Sequence, residues 1–269
     1  MRVKNIKNII SWIGFVVIAI FVLFPFVWGI RTSFSPRYET SLIPARFTLE
    51  HYQSLFVRPA FLLYFKNSLI VTLGAVALTL PLGLLGGYSL ARLNFPGKQF
   101  GILLLVFPLL PLIAILVPLV SYMYKLGVYD SFMALILVNS VFNTPFALWM
   151  LRNFILNTPV EIEEAALLDG CSKIGALFRI ALPLMLPGMI AVIVFVFITT
   201  WNNYLYAAAF TSSMSVRVLP QGLLSFIGTW GMYWEGLTAA GILTLIPPLV
   251  LFLFFQKWFI AGLFAQWSR

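Results

Sequence analysis

Charge is scarce in this sequence. Asp, Glu, Lys and Arg together make up 9% of its 269 residues, whereas a soluble domain carries roughly 25%. Hydrophobic residues account for 61% of the chain, and the mean hydropathy is +1.00. A chain of this composition has too little polar surface to face water on all sides. The composition therefore excludes an ordinary soluble domain and indicates a protein that lies in a lipid bilayer.

Cysteine and histidine are almost absent, since Cys171 and His51 are the only ones. A single cysteine cannot form an internal disulfide, and the two residues offer no metal-ligand spacing. Acid–base or metal catalysis inside a membrane would need clustered His, Asp, Glu or Cys residues, and the hydrophobic stretches have none. An intramembrane enzyme is therefore disfavoured, and no cofactor or metal is expected on this chain. His51 is expected at the surface of a loop.

Six hydrophobic stretches are long enough to cross the hydrocarbon core, which takes about 20 apolar residues in a helix. The first is interpreted as a retained span rather than a signal peptide, because no small-residue cleavage site follows it. Residues 1–269 are expected to form a single transmembrane domain of the all-α class, a polytopic bundle. The six stretches lie at about 9–30, 66–91, 100–124, 131–153, 183–210 and 237–261.

Basic residues outnumber acidic ones and give a formal net charge of +9. Their largest cluster is the short stretch Arg2–Lys4–Lys7, so nucleic acid is not an expected partner. With both termini inside, the cytoplasmic parts hold ten of the 17 Lys and Arg residues. Because cytoplasmic loops of membrane proteins are enriched in Lys and Arg, this distribution predicts an N-in, C-in orientation. The segment 154–182 is then cytoplasmic.

Small residues occupy every fourth position of the second hydrophobic stretch. Such a stripe lets another helix approach closely, and we expect that helix to belong to the same chain, a subunit interface being the alternative. The stripe consists of Ala75, Thr79, Gly83, Gly87 and Ala91.

The segment 154–182, between the fourth and fifth stretches, holds four of the eight acidic residues of the chain. Thr158 and Glu161 have the spacing of a capping box, with Pro159 at the first helical position. Gly170 suits the left-handed end of that helix, and Ser172 can cap a second short helix through Ile180. Two short helices with a glycine bend are therefore predicted here, and a simple amphipathic connector is the alternative interpretation.

Several motifs resemble one transporter family. Glu164-Ala165-Ala166, three residues, Gly170, nine residues and then Ile180-x-Leu182-Pro183 is similar to the EAA signature of permease subunits of ATP-binding-cassette (ABC) importers. Four further segments resemble the smaller six-span subunit of maltose/trehalose-type sugar transporters. These are "ARLNFPGK" (91–98), "ALILVNSVFNTPFALWMLRNF" (134–154), "FVFITTWNNYLYA" (195–207) and "QKWFIAGL" (256–263). The chain departs from the family at Asn203, where an acidic residue is usual, and in its "FAQWSR" tail.

The resemblance implies a pore-forming permease of a bacterial or archaeal inner membrane that imports a sugar or sugar-like solute by alternating access. Its implied partners are a second permease in a heterodimer, two copies of a cytoplasmic ATPase, an external solute-binding protein and the bilayer. ATP and Mg are expected in the ATPase, because Gln99 follows Lys98 and the chain has no P-loop. The residues assigned to ATPase coupling are Glu163, Glu164, Ala165, Ala166, Asp169, Gly170, Ile180, Leu182 and Pro183.

Two polar groups inside the predicted spans are candidates for the substrate path. Asn139 and Asn143 lie one helical turn apart in the fourth span, and Asn202, Asn203 and Tyr204 form a polar break in the fifth. Amides and ring faces suit the hydroxyls and apolar face of a sugar, and interhelical hydrogen bonding is the alternative role.

Other transporter classes fit the sequence less well. An ion-coupled secondary transporter would carry ionisable residues within its spans, and the acidic residues and His51 lie outside them. An ABC importer for a non-sugar solute, such as a glycerol phosphate, stays open as an alternative.

The predicted orientation can be checked with reporter fusions in the cell. A reporter fused after residue 170 should show the activity expected in the cytoplasm, and reporters fused near Arg46 and Arg217 should show that expected outside. An external signal at residue 170 would contradict the N-in, C-in orientation.

Overall fold

The computed structural model describes residues 2–41, 43–96, 98–104, 106, 112–228 and 231–264. Helices make up most of this part of the chain. The elements are α1 (Arg2–Ser33), α2 (Glu50–Val57), α3 (Pro59–Arg92), α4 (Phe100–Leu103), α5 (Leu112–Lys125), α6 (Phe132–Asn157), α7 (Val160–Leu168), α8 (Lys173–Ala176), a π-helix (Leu177–Ala181), α9 (Leu182–Leu184), α10 (Leu186–Trp201), α11 (Tyr204–Phe210), α12 (Leu219–Leu223), a 3-10 turn (Leu224–Phe226), β1 (Ile227–Gly228), β2 (Gly231–Met232) and α13 (Trp234–Phe264).

Among the described residues, four helices are long and apolar enough to cross a membrane. They match the first, second, fourth and sixth predicted spans and are Ser11–Ser33, Pro59–Arg92, Phe132–Asn157 and Trp234–Phe259. A fifth is present if two helices that meet at 77°, Lys173–Leu184 and Leu186–Trp201, are counted as one broken span.

The predicted third span, 100–124, falls partly outside the described residues, which omit 105 and 107–111. The flanking parts, α4 and α5, are helical, and the apolar helix Ala114–Lys125 is shorter than a full span. The six-span count therefore stays a prediction.

The predicted fifth span, 183–210, is not one continuous helix. Its first part bends sharply at Met185, where Pro187 in the first turn of α10 has no N–H to continue the preceding helix. Its second part is interrupted at Asn202 and Asn203, at the polar break that the sequence indicated. The Asn203 side chain accepts a hydrogen bond from the Tyr206 N–H at 3.0 Å and so begins α11 as an N-cap.

The chain divides into two compact units, Met1–Leu62 with Leu223–Ile246, and Leu63–Gly222 with Pro247–Arg269. In the first unit, His51 is buried, with 1% of its surface exposed, so the surface position expected from the sequence is wrong. Its Nε2 donates to the Ser35 carbonyl at 2.7 Å and its Nδ1 pairs with the Tyr233 hydroxyl. Two specific partners account for the burial of a polar ring.

The second unit is built on close contacts between α3 and α6. A Cβ atom on Gly83 would lie 2.7 Å from the Ala147 Cβ, and one on Gly87 would lie 2.9 Å from the Arg152 backbone nitrogen. These separations are too short for any side chain, so glycine is required for the two backbones to approach. The small-residue stripe therefore packs against a helix of the same chain, as expected.

Asp130 fixes the loop before α6 to the end of α11. Its carboxylate accepts the N–H groups of Ser212 at 2.8 Å and Ser213 at 3.0 Å, and its own N–H donates to the Phe210 carbonyl at 3.1 Å. The Ser212 N–H, followed by that of Ser213, lowers the pKa of Asp130. The two ends of the helices that carry the candidate substrate-path residues are thus held together.

Candidate functional site

The segment between α6 and α9 forms the two short helices that the sequence predicted, but its first helix begins differently. Pro159 occupies the N-cap position, and no side chain caps α7 there. The Thr158 hydroxyl instead donates to the Phe154 carbonyl of α6 at 3.2 Å. The predicted capping box is therefore wrong, because Thr158 also ends α6 and its hydroxyl serves that helix.

Gly170 forms the predicted bend. Its φ of +85° lies in the left-handed region that side chains rarely adopt. The Cys171 N–H donates to the Ala166 carbonyl at 2.9 Å, and the Gly170 N–H donates to the Leu167 carbonyl at 3.1 Å. This pair of bonds is the Schellman arrangement that ends many helices. No atom lies within 4 Å of the place where a Cβ would be, so backbone conformation alone requires glycine here.

The second short helix is capped as predicted and then enters the core. The Ser172 hydroxyl accepts the Gly175 N–H at 3.1 Å, and the helix continues through the π-helix. Leu177 and Ala181 are buried in a cluster with Leu151 and Ile155 of α6. The predicted motif positions that follow differ in exposure, with Ile180 and Leu182 half-buried and Pro183 exposed.

Glu163 faces the interior of the chain rather than its surface. One carboxylate oxygen lies 2.9 Å from the Arg92 Nε, and the other accepts a hydrogen bond from the Tyr88 hydroxyl at 3.0 Å. Arg92 also donates to the Thr158 carbonyl at 2.7 Å. The exposed fractions of the Arg92 and Glu163 side chains are 13% and 5%. The pair therefore anchors α7 to the end of α3.

The opposite face of the segment is exposed. Glu161, Glu164, Ala165 and Asp169 lie on it, and Ala166 is half-buried. Large apolar side chains lie on the same segment, with exposed fractions of 90% for Leu168, 71% for Ile174 and 53% for Phe178. Exposed apolar side chains in a segment of this polarity are typical of a protein-binding surface. We call Glu164, Ala165, Leu168, Asp169 and Ile174 the insert face.

Sequence reasoning identified the small and acidic residues of this face and missed Leu168, Ile174 and Phe178. A signal was available. Leu168 directly precedes Asp169 and Gly170, and Ile174 lies between Lys173 and Gly175, so each is a large apolar residue in a segment predicted to face water.

The candidate path residues of the fourth span are buried. The exposed fractions of Asn139 and Asn143 are 2% and 8%. The Asn143 side chain accepts a hydrogen bond from the Thr199 hydroxyl at 2.9 Å and lies 3.4 Å from the Thr200 hydroxyl, so it connects α6 to α10. Interhelical hydrogen bonding, the alternative role considered for this residue, is thus present.

The candidate residues of the fifth span divide into two kinds. Asn202 is exposed, with its side-chain nitrogen donating to the Ile198 carbonyl at 3.0 Å, and Tyr204 is 43% exposed. Asn203 caps α11 and lines a small cavity that Asn139 also lines. The structure therefore brings Asn139 and Asn203 together and leaves Asn202 and Tyr204 on the surface of this chain.

The comparisons with known proteins all identify membrane components of transport systems. Residues 79–264 match the family model described as binding-protein-dependent transport system inner membrane component. The chain is 35% identical to the inner membrane ABC transporter permease protein YcjP of Escherichia coli, over 97% of this chain and 96% of that protein. It is 33% identical to the trehalose/maltose transport system permease protein MalG of Thermococcus litoralis, over 98% of each.

The fold has a solved counterpart. A chain in the crystal structure of a bacterial ABC transporter involved in the import of the acidic polysaccharide alginate superposes with a TM-score of 0.85. The two chains are 20% identical, and the match covers 96% of this chain and 98% of that one. At this identity the likeness shows the fold alone.

The buried ion pair leads to a stability prediction. Glu163→Gln should lower the melting temperature of the purified protein, because removing one partner leaves the Arg92 charge buried without its counterion, at a cost of about 3–5 kcal/mol. Glu164→Gln is the matched control, since the neighbouring carboxylate is exposed and should contribute little. Equal melting temperatures for the two variants would contradict the anchoring role of Glu163.

Proposed function

The chain belongs to the family of binding-protein-dependent transport system inner membrane components, and we propose that its insert face binds a cytoplasmic ATPase that drives transport. The protein is a pore-forming permease of a binding-protein-dependent ABC importer of the inner membrane.

The exposure of Leu168 carries the coupling proposal. A leucine that is 90% exposed on a segment rich in carboxylates gains free energy when a partner covers it. The small side chains of Ala165 and Ala166 allow close approach, and Glu164 and Asp169 offer carboxylates to basic groups of the partner. We therefore propose that the ATPase contact consists of the insert face together with the adjoining residues Ala166 and Gly170.

Contacts inside the second unit supply a route from this surface to the spans. Glu163 connects α7 to Arg92 at the end of α3, and α3 packs on α6 through Gly83 and Gly87. The π-helix carries Leu177 and Ala181 into the core cluster. A displacement of the insert would therefore act on α3 and α6 as packed elements, which is how a partner biases a two-state bundle. Ile180, Leu182 and Pro183 belong to this route rather than to the insert face.

ATP binding is assigned to the partner. The sequence has no P-loop, so we propose that ATP and Mg bind in two copies of the ATPase and that this chain has no enzymatic activity. A second permease in a heterodimer and an external solute-binding protein complete the proposed assembly. The proposed orientation is six spans with both termini in the cytoplasm.

The proposed solute is a sugar or oligosaccharide. The relative named for trehalose and maltose transport supports this class, and the neutral amide and ring groups at the break in the fifth span suit it. Asn202 and Tyr204 are exposed there and are the proposed contacts with the path. Asn143 accepts a hydrogen bond from α10, and Asn203 caps α11. We propose that these two residues position the helices that carry those contacts.

Leu168→Asp tests the proposed ATPase contact. The variant should fold normally, because the side chain is exposed. It should retain much less ATPase when the complex is purified, because the partner would have to cover a charged carboxylate in place of an apolar side chain. Val57→Asp is the matched control, because Val57 is 80% exposed in a different segment. The same yield of ATPase with both variants would contradict the proposal.

Gly170→Val tests whether the bend is needed for coupling. A β-branched residue at φ +85° costs about 1–3 kcal/mol of backbone strain, which shifts the equilibrium away from the bent conformation by about 5- to 150-fold. Stimulation of the ATPase by the binding protein, and solute uptake, should fall accordingly.

Gly127→Val provides the control for Gly170→Val. Gly127 also has a positive φ, +69°, and no atom within 4 Å of a Cβ position, but it lies in the loop between α5 and α6. Uptake at the wild-type rate by a well-expressed Gly170→Val complex would show that the bend has no part in coupling.

A further inference from the structure

A small, partly open cavity lies where α3, α6 and α10 meet the start of α11, next to the break at Asn202 and Asn203. Its size corresponds to about one water molecule. Polar side chains of α3, α6 and α10 line it together with the N-cap residue of α11, namely Ser68, Thr72, Asn139, Thr200 and Asn203.

Two of the lining oxygen atoms have no hydrogen-bond partner. The Thr72 hydroxyl and the Asn139 amide oxygen are buried and unpaired, although the exposed fractions of the two residues are only 1% and 2%. A buried polar atom without a partner costs free energy, and most such atoms in folded proteins are paired with protein or with ordered water.

The other polar groups at the cavity already have partners. The Ser68 hydroxyl accepts the Leu219 N–H at 2.8 Å, and the Asn203 amide oxygen accepts the Tyr206 N–H at 3.0 Å. The Asn139 side-chain nitrogen donates to the Leu135 carbonyl of its own helix at 2.8 Å, which leaves only its oxygen to pair elsewhere. Thr72 and Asn139 therefore each have one unpaired oxygen atom, and both residues line the same cavity.

We propose that the cavity binds one ordered water molecule that donates a hydrogen bond to the Asn139 amide oxygen and pairs with the Thr72 hydroxyl. Water can both donate and accept, and buried waters in proteins typically make about three hydrogen bonds to polar groups that are otherwise unpaired. An apolar occupant would leave both oxygens unpaired. A cation is disfavoured because no carboxylate is among the described lining residues.

This water joins α3 to α6 beside the point where the fifth span is interrupted. Asn139 then acts in helix association and does not contact the transported solute. The site is independent of the ATPase contact, since none of its residues lies on the insert face.

The stability of the assembled transporter tests the proposal. Thr72→Val and Asn139→Leu should each lower the melting temperature by about 3 °C or more, because either change removes a partner of the water. The double variant should lose less than the sum of the two, since the water is already displaced in each single variant.

Thr79→Val is the matched control. Thr79 lies two helical turns from Thr72 on α3, is fully buried and also has an unpaired hydroxyl, but it does not line the cavity. Its replacement should leave the melting temperature unchanged or raise it, because an unpaired hydroxyl is removed. A Thr72→Val variant as stable as Thr79→Val, or strictly additive losses for Thr72 and Asn139, would overturn the proposal.

A high-resolution structure of the assembled transporter provides a second, independent test. We expect a density peak at hydrogen-bonding distance from both the Thr72 hydroxyl and the Asn139 amide oxygen, and its loss in the double variant. An empty cavity in a map that resolves other waters would refute the site. Stabilisation by sodium but not by potassium or choline salts would identify a cation in place of water and would also overturn it.

Discussion

Arg92 and Glu163 form an ion pair, and both of its side chains are almost completely shielded from water. Such a pair is stable only when its remaining hydrogen-bonding atoms are also satisfied. Here the Tyr88 hydroxyl and the Thr158 carbonyl complete it. The consequence is mechanical, because α3, the end of α6 and the start of α7 are held by one arginine. Because α7 is anchored to the helix bundle on one side, its opposite side stays exposed and available to a partner.

The local features of the insert were predictable from sequence because they depend on a few neighbouring residues. Gly170 ends α7 in the left-handed conformation and Ser172 caps α8, as expected. Thr158 failed as a cap because two helices compete for it, and its hydroxyl bonds back to α6. Sequence also could not say which of Glu163 and Glu164 would be buried. Adjacent residues point about 100° apart on a helix, and the position of Arg92 decides between them.

Hydropathy identified the long spans but not their interruptions, of which the polar residues Asn202–Tyr204 indicated one. The average over a window is insensitive to one proline at the start of α10 or to an asparagine that can cap α11, yet these residues divide the predicted fifth span. His51 shows a similar limit. A histidine in a polar segment is expected in solvent, and its burial depends on Ser35 and Tyr233, of which the latter lies 182 positions away. A single sequence, read by itself, does not reveal which distant residues pair with each other.

Cys171 follows the bend at Gly170 and is half-buried. It is the only cysteine in the sequence, so a thiol-reactive probe would label this chain at one position, within the segment proposed to couple ATP hydrolysis to transport. Spin labels or fluorophores attached there could therefore follow the motion of that segment with no other cysteine of this chain to replace.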